Sequence, residues 1–170
     1  MKTELKAKFL QHLLKKKSDD QGFTLIELLV VIIIIGILSA IALPSFLNQA
    51  AKARQSEART NIGAMNRAQQ SYYLENQTFV GGTGAIGSLG IGIKNSDNYS
   101  YTAAAVTALD TDVANKAQAN NGDLKGYAGG VFKSGGTTAS ILCEVKTAGP
   151  GTPDDPVNAS TCATTQNRLK

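Results

Sequence analysis

The chain is 170 residues long with a formal net charge of +4 and 18% charged residues, enough for one modest core rather than several domains. Its positive excess is local: residues 1–22 hold six lysines against three acids, while the other 148 residues hold 11 basic and 10 acidic groups. A nearly neutral body argues against nucleic-acid binding, and because His12 is the only histidine, His-based catalysis and His-rich metal sites are excluded from everything after the basic leader.

Residues 23–43 read FTLIELLVVIIIIGILSAIAL, and Glu27 is their one charge. As a helix the run spans about 30 Å, the thickness of a bilayer's hydrocarbon core. The preceding lysines predict that residues 1–22 stay in the cytoplasm and that everything past Leu43 is exported. A generic secretory signal competes with this reading, because Ala40-Ile41-Ala42 supplies a cleavage pattern that would release the chain after Ala42. Against it stand the length of the apolar run, beyond the usual core of about 7–15 residues, and the acid inside it. A carboxylate in a membrane helix costs about 2.5–3.5 kcal/mol on insertion scales, so Glu27 needs a reason to be there. Protonation or snorkelling to the interface is one answer.

Pro44 predicts a kink rather than an end. Beyond it Leu47, Ala51, the stem of Arg54, Ala58, Ile62, Met65, Ala68 or Gln69, and Tyr72 recur at three- and four-residue steps. That spacing predicts an amphipathic continuation, hence one helix from about Thr24 to about Glu75, with Arg54 and Glu57 paired on its wet side. A narrow apolar stripe needs a partner surface. Residues 98–106, 126–132 and 139–145 supply it as strands of an antiparallel sheet of three or four strands, with residues 109–123 as a loop holding at most a helical turn.

Residues 82–87 formally fit GxGxxG, but a helix precedes them and more glycine follows, so the predicted structure is a flexible surface loop. Asp154 and Asp155 offer at most a weak calcium site, and two acids in a loop are usually solvated. Three Asn-x-Ser/Thr triplets, at Asn76, Asn98 and Asn158, are common by chance and leave glycosylation open. The only cysteines, Cys143 and Cys162, lie in the exported part, where oxidation is permitted; a disulfide there, rather than two buried thiols, would tie the tail to the third strand.

The lysine-rich leader, the hexapeptide Gly22-Phe23-Thr24-Leu25-Ile26-Glu27, the apolar run, the long helix and the cysteine pair together resemble a type IV pilin precursor. The overall style, including the 22-residue leader with a Phe after the cut, looks most like the cyanobacterial major pilins. The likeness is strong over residues 15–75; beyond Phe79 it rests on architecture and the cysteines. It implies an α+β fold: a long N-terminal helix packed on a small antiparallel sheet with a C-terminal disulfide loop. The implied parts are a leader (1–22) removed on maturation, a membrane and filament-core helix (23–43), its amphipathic continuation (44–76) and a globular domain (77–170).

The resemblance also assigns roles. A prepilin peptidase would cut between Gly22 and Phe23 on the cytoplasmic face and methylate the new amine of Phe23. Glu27 would pair with the Phe23 amine of a neighbouring subunit, which offsets the burial of the acid if hydrogen-bond geometry is good. Gly36 and Pro44 would let the helix melt locally in the filament, although close helix packing at Gly36 fits equally. Implied partners are other copies of the chain in a helical homopolymer, minor pilins, an assembly platform, an outer-membrane secretin and the inner membrane before export. The resemblance implies a structural subunit without cofactors or enzymatic activity. Its rivals are a type II secretion pseudopilin, a minor pilin and, from another class, a soluble binding protein released after Ala42.

Overall fold

The structure is a computed structural model that describes Gln11, residues 22–82 and residues 84–169. The leader's lysines and His12 lie outside the described residues. Two compact units divide between Phe46 and Leu47.

Helix α1 runs Leu25–Asn76, 52 residues without a break. Pro44 removes one hydrogen bond, and that loss does not interrupt the helix. Among the described residues of the first unit α1 shows no polar face: Ile33, Ile35 and Ile41 are 51%, 56% and 73% exposed. One 18-residue window here has a mean hydropathy of 3.0 and buries nothing, so length and composition suffice to cross a membrane.

In the second unit, α1 lies on a five-stranded antiparallel sheet. The strands are β1 (Tyr99–Ala104), β2 (Asp112–Ala119), β3 (Tyr127–Ser134), β4 (Thr137–Val145) and β5 (Gln166–Arg168), hydrogen-bonded in sequence order. Two of these correct the sequence reading. β2 occupies the stretch expected to be a loop, and β5 comes from the tail. DVANKAQA has one β-branched residue and weak apolar contrast, so it gives little strand signal. Burial supplies what propensity lacks: Val113, Ala117 and Ala119 face the helix and are fully buried.

The helix stripe is Ala51, Ala58, Ile62, Met65, Asn66, Gln69 and Tyr73. Leu47 is exposed and Tyr72 only half-buried, contrary to expectation. Tyr73 takes the place of Tyr72 and stacks on Phe79 with ring centroids 4.6 Å apart. Arg54 is also outside the stripe, and its acid is Asp123 (3.7 Å) rather than Glu57. The β2–β3 connection carries that acid over to the helix.

Helix and sheet are registered by a buried polar chain. Gln69 Nε2 donates to Val80 O (2.7 Å), and Val80 N donates back to Gln69 Oε1 (2.9 Å). Gln69 Nε2 also reaches Asn115 Oδ1 (3.3 Å), Asn115 Nδ2 donates to Asn66 Oδ1 (2.9 Å), and Asn66 Nδ2 donates to Ile141 O (3.0 Å). A slip of the helix would leave these buried groups unpaired, at about 1–3 kcal/mol each. Gly129 on β3 makes the close approach possible, because a Cβ there would sit 2.3 Å from Asn66 Oδ1 and 2.6 Å from Ile62.

The far face of the sheet holds Ala128, Ile141 and Cys143, with Phe132 and Cys162 against them. The tail closes over it. Asp155 pairs with Lys116 (2.9 Å), Thr152 Oγ1 donates to Gln118 Oε1 (2.8 Å), and Pro156 is buried beside Gly130. The Gly-rich segment contains a short 3-10 helix, Ala85–Leu89, flanked by left-handed Gly84 (φ 82) and Gly90 (φ 66). Among the described residues α1 precedes it and strands follow, not the strand-then-helix setting that the GxGxxG fingerprint needs.

Candidate processing and assembly site

The segment Gly22–Glu27 shows how the charge is held in a single chain. Residues 22–24 are non-helical and Thr24 caps α1; the first helical bond runs from Leu28 N to Thr24 O (3.2 Å). Thr24 Oγ1 accepts from Glu27 N (3.3 Å), while Glu27 Oε2 accepts from Thr24 N (2.8 Å) and Thr24 Oγ1 (2.7 Å). This reciprocal arrangement is a capping box, which satisfies donors that a helix start leaves open and places an anion at the positive end of the helix dipole. The role was readable in the sequence as Thr-x-x-Glu before an apolar run.

Among the described residues no cation lies within ion-pair distance of Glu27. One oxygen, Oε1, is left without a partner by the cap. Phe23 beside it is 82% exposed. A Cβ built on Gly22 or on Gly36 meets nothing within 4 Å, and neither has a positive φ. The fold of the single chain therefore does not demand glycine at either position. Gly36 and Pro44 both lie inside continuous helix.

In the second unit, Cys143 and Cys162 form a disulfide with a Cα separation of 5.9 Å, within the usual range. Asp154 and Asp155 do not converge: Asp154 accepts from Thr165 Oγ1 and Asp155 is paired with Lys116. No group of three or more metal-ligating side chains occurs among the described residues. Between sheet and helix, Tyr127 donates from its hydroxyl to Glu144 Oε1 (2.9 Å), whose other oxygen is 3.2 Å from Lys125 Nζ. Burial, then the Glu144 carboxylate, holds the Tyr127 hydroxyl above its ordinary range, and burial does the same for Tyr99 and Tyr101.

Comparison with known families matches residues 55–167 to the type IV pilin-like G and H family. Residues 17–43 match the prokaryotic N-terminal methylation motif. The type IV major pilin protein PilA of Myxococcus xanthus is 40% identical over 98 residues, 58% of this chain and 43% of that protein. The type IV major fimbrial protein FimA of Dichelobacter nodosus is 41% identical over 73 residues, 41% of this chain and 47% of that protein. The type II secretion system core protein G of Vibrio cholerae is 39% identical over 66 residues, 39% of this chain and 45% of that protein. The chain thus spans a little under half the length of these curated relatives. None of the three sources is a cyanobacterium, and that finer likeness is not borne out by them.

Proposed function

This chain belongs to the type IV pilin-like G and H family, and we propose that it is the structural subunit of an extracellular type IV pilus. The observation that carries the proposal is the contrast along α1: a capped, all-round apolar first half with one unpaired acid oxygen, continuous with a second half that is buried on its own sheet. A helix that is apolar on every side requires apolar surroundings on every side. Lipid supplies them before assembly and the same segment of other subunits supplies them afterwards. Contacts between unlike patches that do not close generate open helices.

Maturation fits the same segment. A peptidase of the cytoplasmic membrane face cuts between Gly22 and Phe23, and the new Phe23 amine is methylated; the methylation-motif match over residues 17–43 supports this. Glycine at position 22 has no packing reason within the chain, which is consistent with a requirement set by the enzyme that binds it. The amine then pairs with Glu27 of a neighbour. That carboxylate keeps its own helix start capped through Oε2 and offers Oε1 outward, so the charge pair forms without dismantling the cap. Residues 1–22 act as a cytoplasmic leader, 23–43 as filament core, 44–76 as the link, and 77–170 as the outer skin. Gly36 and Pro44 lower the cost of local unwinding.

N-terminal sequencing of mature protein tests the processing: methylated Phe23 is expected, whereas Leu43 as first residue would sink the filament reading in favour of release after Ala42. Gly22→Val should leave uncut precursor in the membrane. Glu27→Val should be cut but should leave little surface filament, and normal filament mass from it would contradict the pairing role. The Vibrio relative keeps a type II secretion subunit as the second reading. Loss of secretion with intact surface pili in a deletion strain would decide for it.

A further inference from the structure

β5 covers only part of the outer edge of β4. It pairs with Cys143, Glu144 and Val145, and Leu169 N adds one bond to Leu142 O (2.8 Å). Beyond that bond the edge opens beside α1 into a cavity of about 220 Å³, lined by Gly63, Asn66, Arg67, Ser140 and Leu142 among others. We propose that this edge is a strand-docking site, where an extended segment of another protein pairs with Ser140 and sets an Asp or Glu against Arg67.

Register decides what the edge offers. Val145 N bonds to Gly126 O, so odd-numbered residues of β4 turn their backbone groups to β3. Even-numbered residues turn theirs outward, as Lys146 N does to Thr165 O. Ser140 is exposed and presents both its N–H and its carbonyl, neither with a partner among the described residues. Further along, Thr138 O accepts from Gln70 Nε2 (3.4 Å). An unpaired edge is a template for a further strand, and proteins usually blunt it with charge, proline or a bulge. Residues 137–141 have neither charge nor proline, and their ladder with β3 runs without a bulge. The opposite edge, β1, is covered by the Gly-rich segment: Ser96 N bonds to Tyr99 O, Tyr101 N to Asn95 Oδ1 and Gly82 N to Ala103 O.

Face and charge select the occupant. Leu142 packs toward α1 and Glu144 meets the Tyr127 hydroxyl there, whereas Ile141 and Cys143 belong to the far-face cluster. Ser140 thus shares the α1 face, and so does the residue that pairs with it, because directly opposed side chains stand on one face of a sheet. Arg67 is the charge that residue meets. It is exposed, joins no ion pair among the described residues and lines the cavity with Ser140, and no Asp or Glu lines that cavity. A carboxylate opposite Ser140 accepts from the guanidinium, while the backbone of the same residue exchanges two hydrogen bonds with Ser140. The residues on either side of it point to the far face beside Ile141, which suits apolar side chains. A second copy does not supply this chemistry. Two β4 edges paired about Ser140 would bring both Arg67 side chains to one seam with no acid between them, and β1 has no continuous open edge to offer.

Titration of the full chain in maltoside micelles, against empty micelles, with a fluorescein-labelled Thr-Val-Glu-Val-Thr peptide tests the site by anisotropy and by the Ser140 amide resonance. Saturable binding that shifts this resonance is expected. Replacing the peptide's Glu by Lys should weaken binding at least tenfold. N-methylation of that Glu removes the N–H aimed at the Ser140 carbonyl and should abolish binding. In Arg67→Gln the Glu and Lys peptides should bind alike. Ser140→Pro should abolish binding, and because the lost N–H faces outward, proline is tolerable there; thermal unfolding of both variants should match that of the unaltered chain. No saturable binding up to millimolar peptide, undiminished binding of the N-methylated peptide, or an unchanged preference for Glu in Arg67→Gln overturns the proposal. Protection of the Ser140 amide from exchange that rises with protein concentration, without peptide, makes a second copy the occupant and overturns it too.

Discussion

The two halves of α1 differ in what completes them. Both are parts of one hydrogen-bonded helix. From Leu47 onward, Ala58, Ile62 and Met65 are fully buried in one stripe, and the sheet that covers them belongs to the same chain. Among the described residues before Phe46 every large apolar side chain is exposed, and no single surface could cover a helix with no polar face. The second half is therefore folded by its own chain, whereas the first is left uncovered among the described residues; under the proposed reading, lipid or like helices cover it. In the proposed pilus, this division would let a subunit hold its folded domain steady while its apolar segment changes surroundings.

Substitutions should separate the halves. Ile33→Asp puts a charge at the middle of the exposed half at an insertion cost of about 2.5–3.5 kcal/mol. Filament mass, measured by shearing and immunoblot, should fall to near background while thermal unfolding of the globular unit is unchanged; a parallel loss of unfolding temperature would break the comparison. Cys162→Ser should do the reverse to stability, costing about 2–5 kcal/mol in denaturant unfolding, because the tail that covers the far face of β3 and β4 is then held by β5 and side-chain bonds alone. Asn115→Ala removes the middle of the buried polar chain and leaves amides of Asn66 and Gln69 short of a partner. Denaturant unfolding should register a loss of about 1–3 kcal/mol.

Alkaline pH acts on the globular half only. The hydroxyls of Tyr99, Tyr101 and Tyr127 have raised pKa values in the fold, so the stability they contribute is complete below the ordinary tyrosine pKa of about 10 and falls as pH rises above it. Tyr127→Phe should flatten that fall in unfolding midpoints measured from about pH 9 upward. The smallest effect belongs to the helix start. Thr24→Ala should cost about 1 kcal/mol of helix stability, seen as fraying of the first turn in hydrogen exchange, with the disulfide-bounded domain unaffected.

The long helix, its change from apolar to amphipathic, the helix-on-sheet architecture and the cysteine pairing were legible because each has a strong local signal: charge-free length, 3.6-residue periodicity, strand-like runs and two cysteines in an oxidising position. β2 was not legible, since Ala, Asn and Lys become strand residues only when Asn115 finds Asn66 and Gln69 across the layer. β5 has three residues and exists because the disulfide loop brings Gln166–Arg168 back beside Cys143. At the candidate site, Gly22, Phe23 and Glu27 were proposed from motif and cost. The cap made by Thr24 needed only the Thr-x-x-Glu spacing, whereas the buried contact of Asn115 with Asn66 joins residues 49 positions apart and has no sequence signature.

The sequence by itself determined that residues 23–43 cannot rest in water and that the following turns need a partner, because hydropathy and helical period are properties of neighbouring residues. Tertiary structure alone decided which polar groups would be buried, which strand would lie at the centre of the sheet and which charges would face an open edge. Those outcomes depend on partners distant in the chain, and a buried amide or an unpaired backbone N–H takes its meaning only from what stands opposite it.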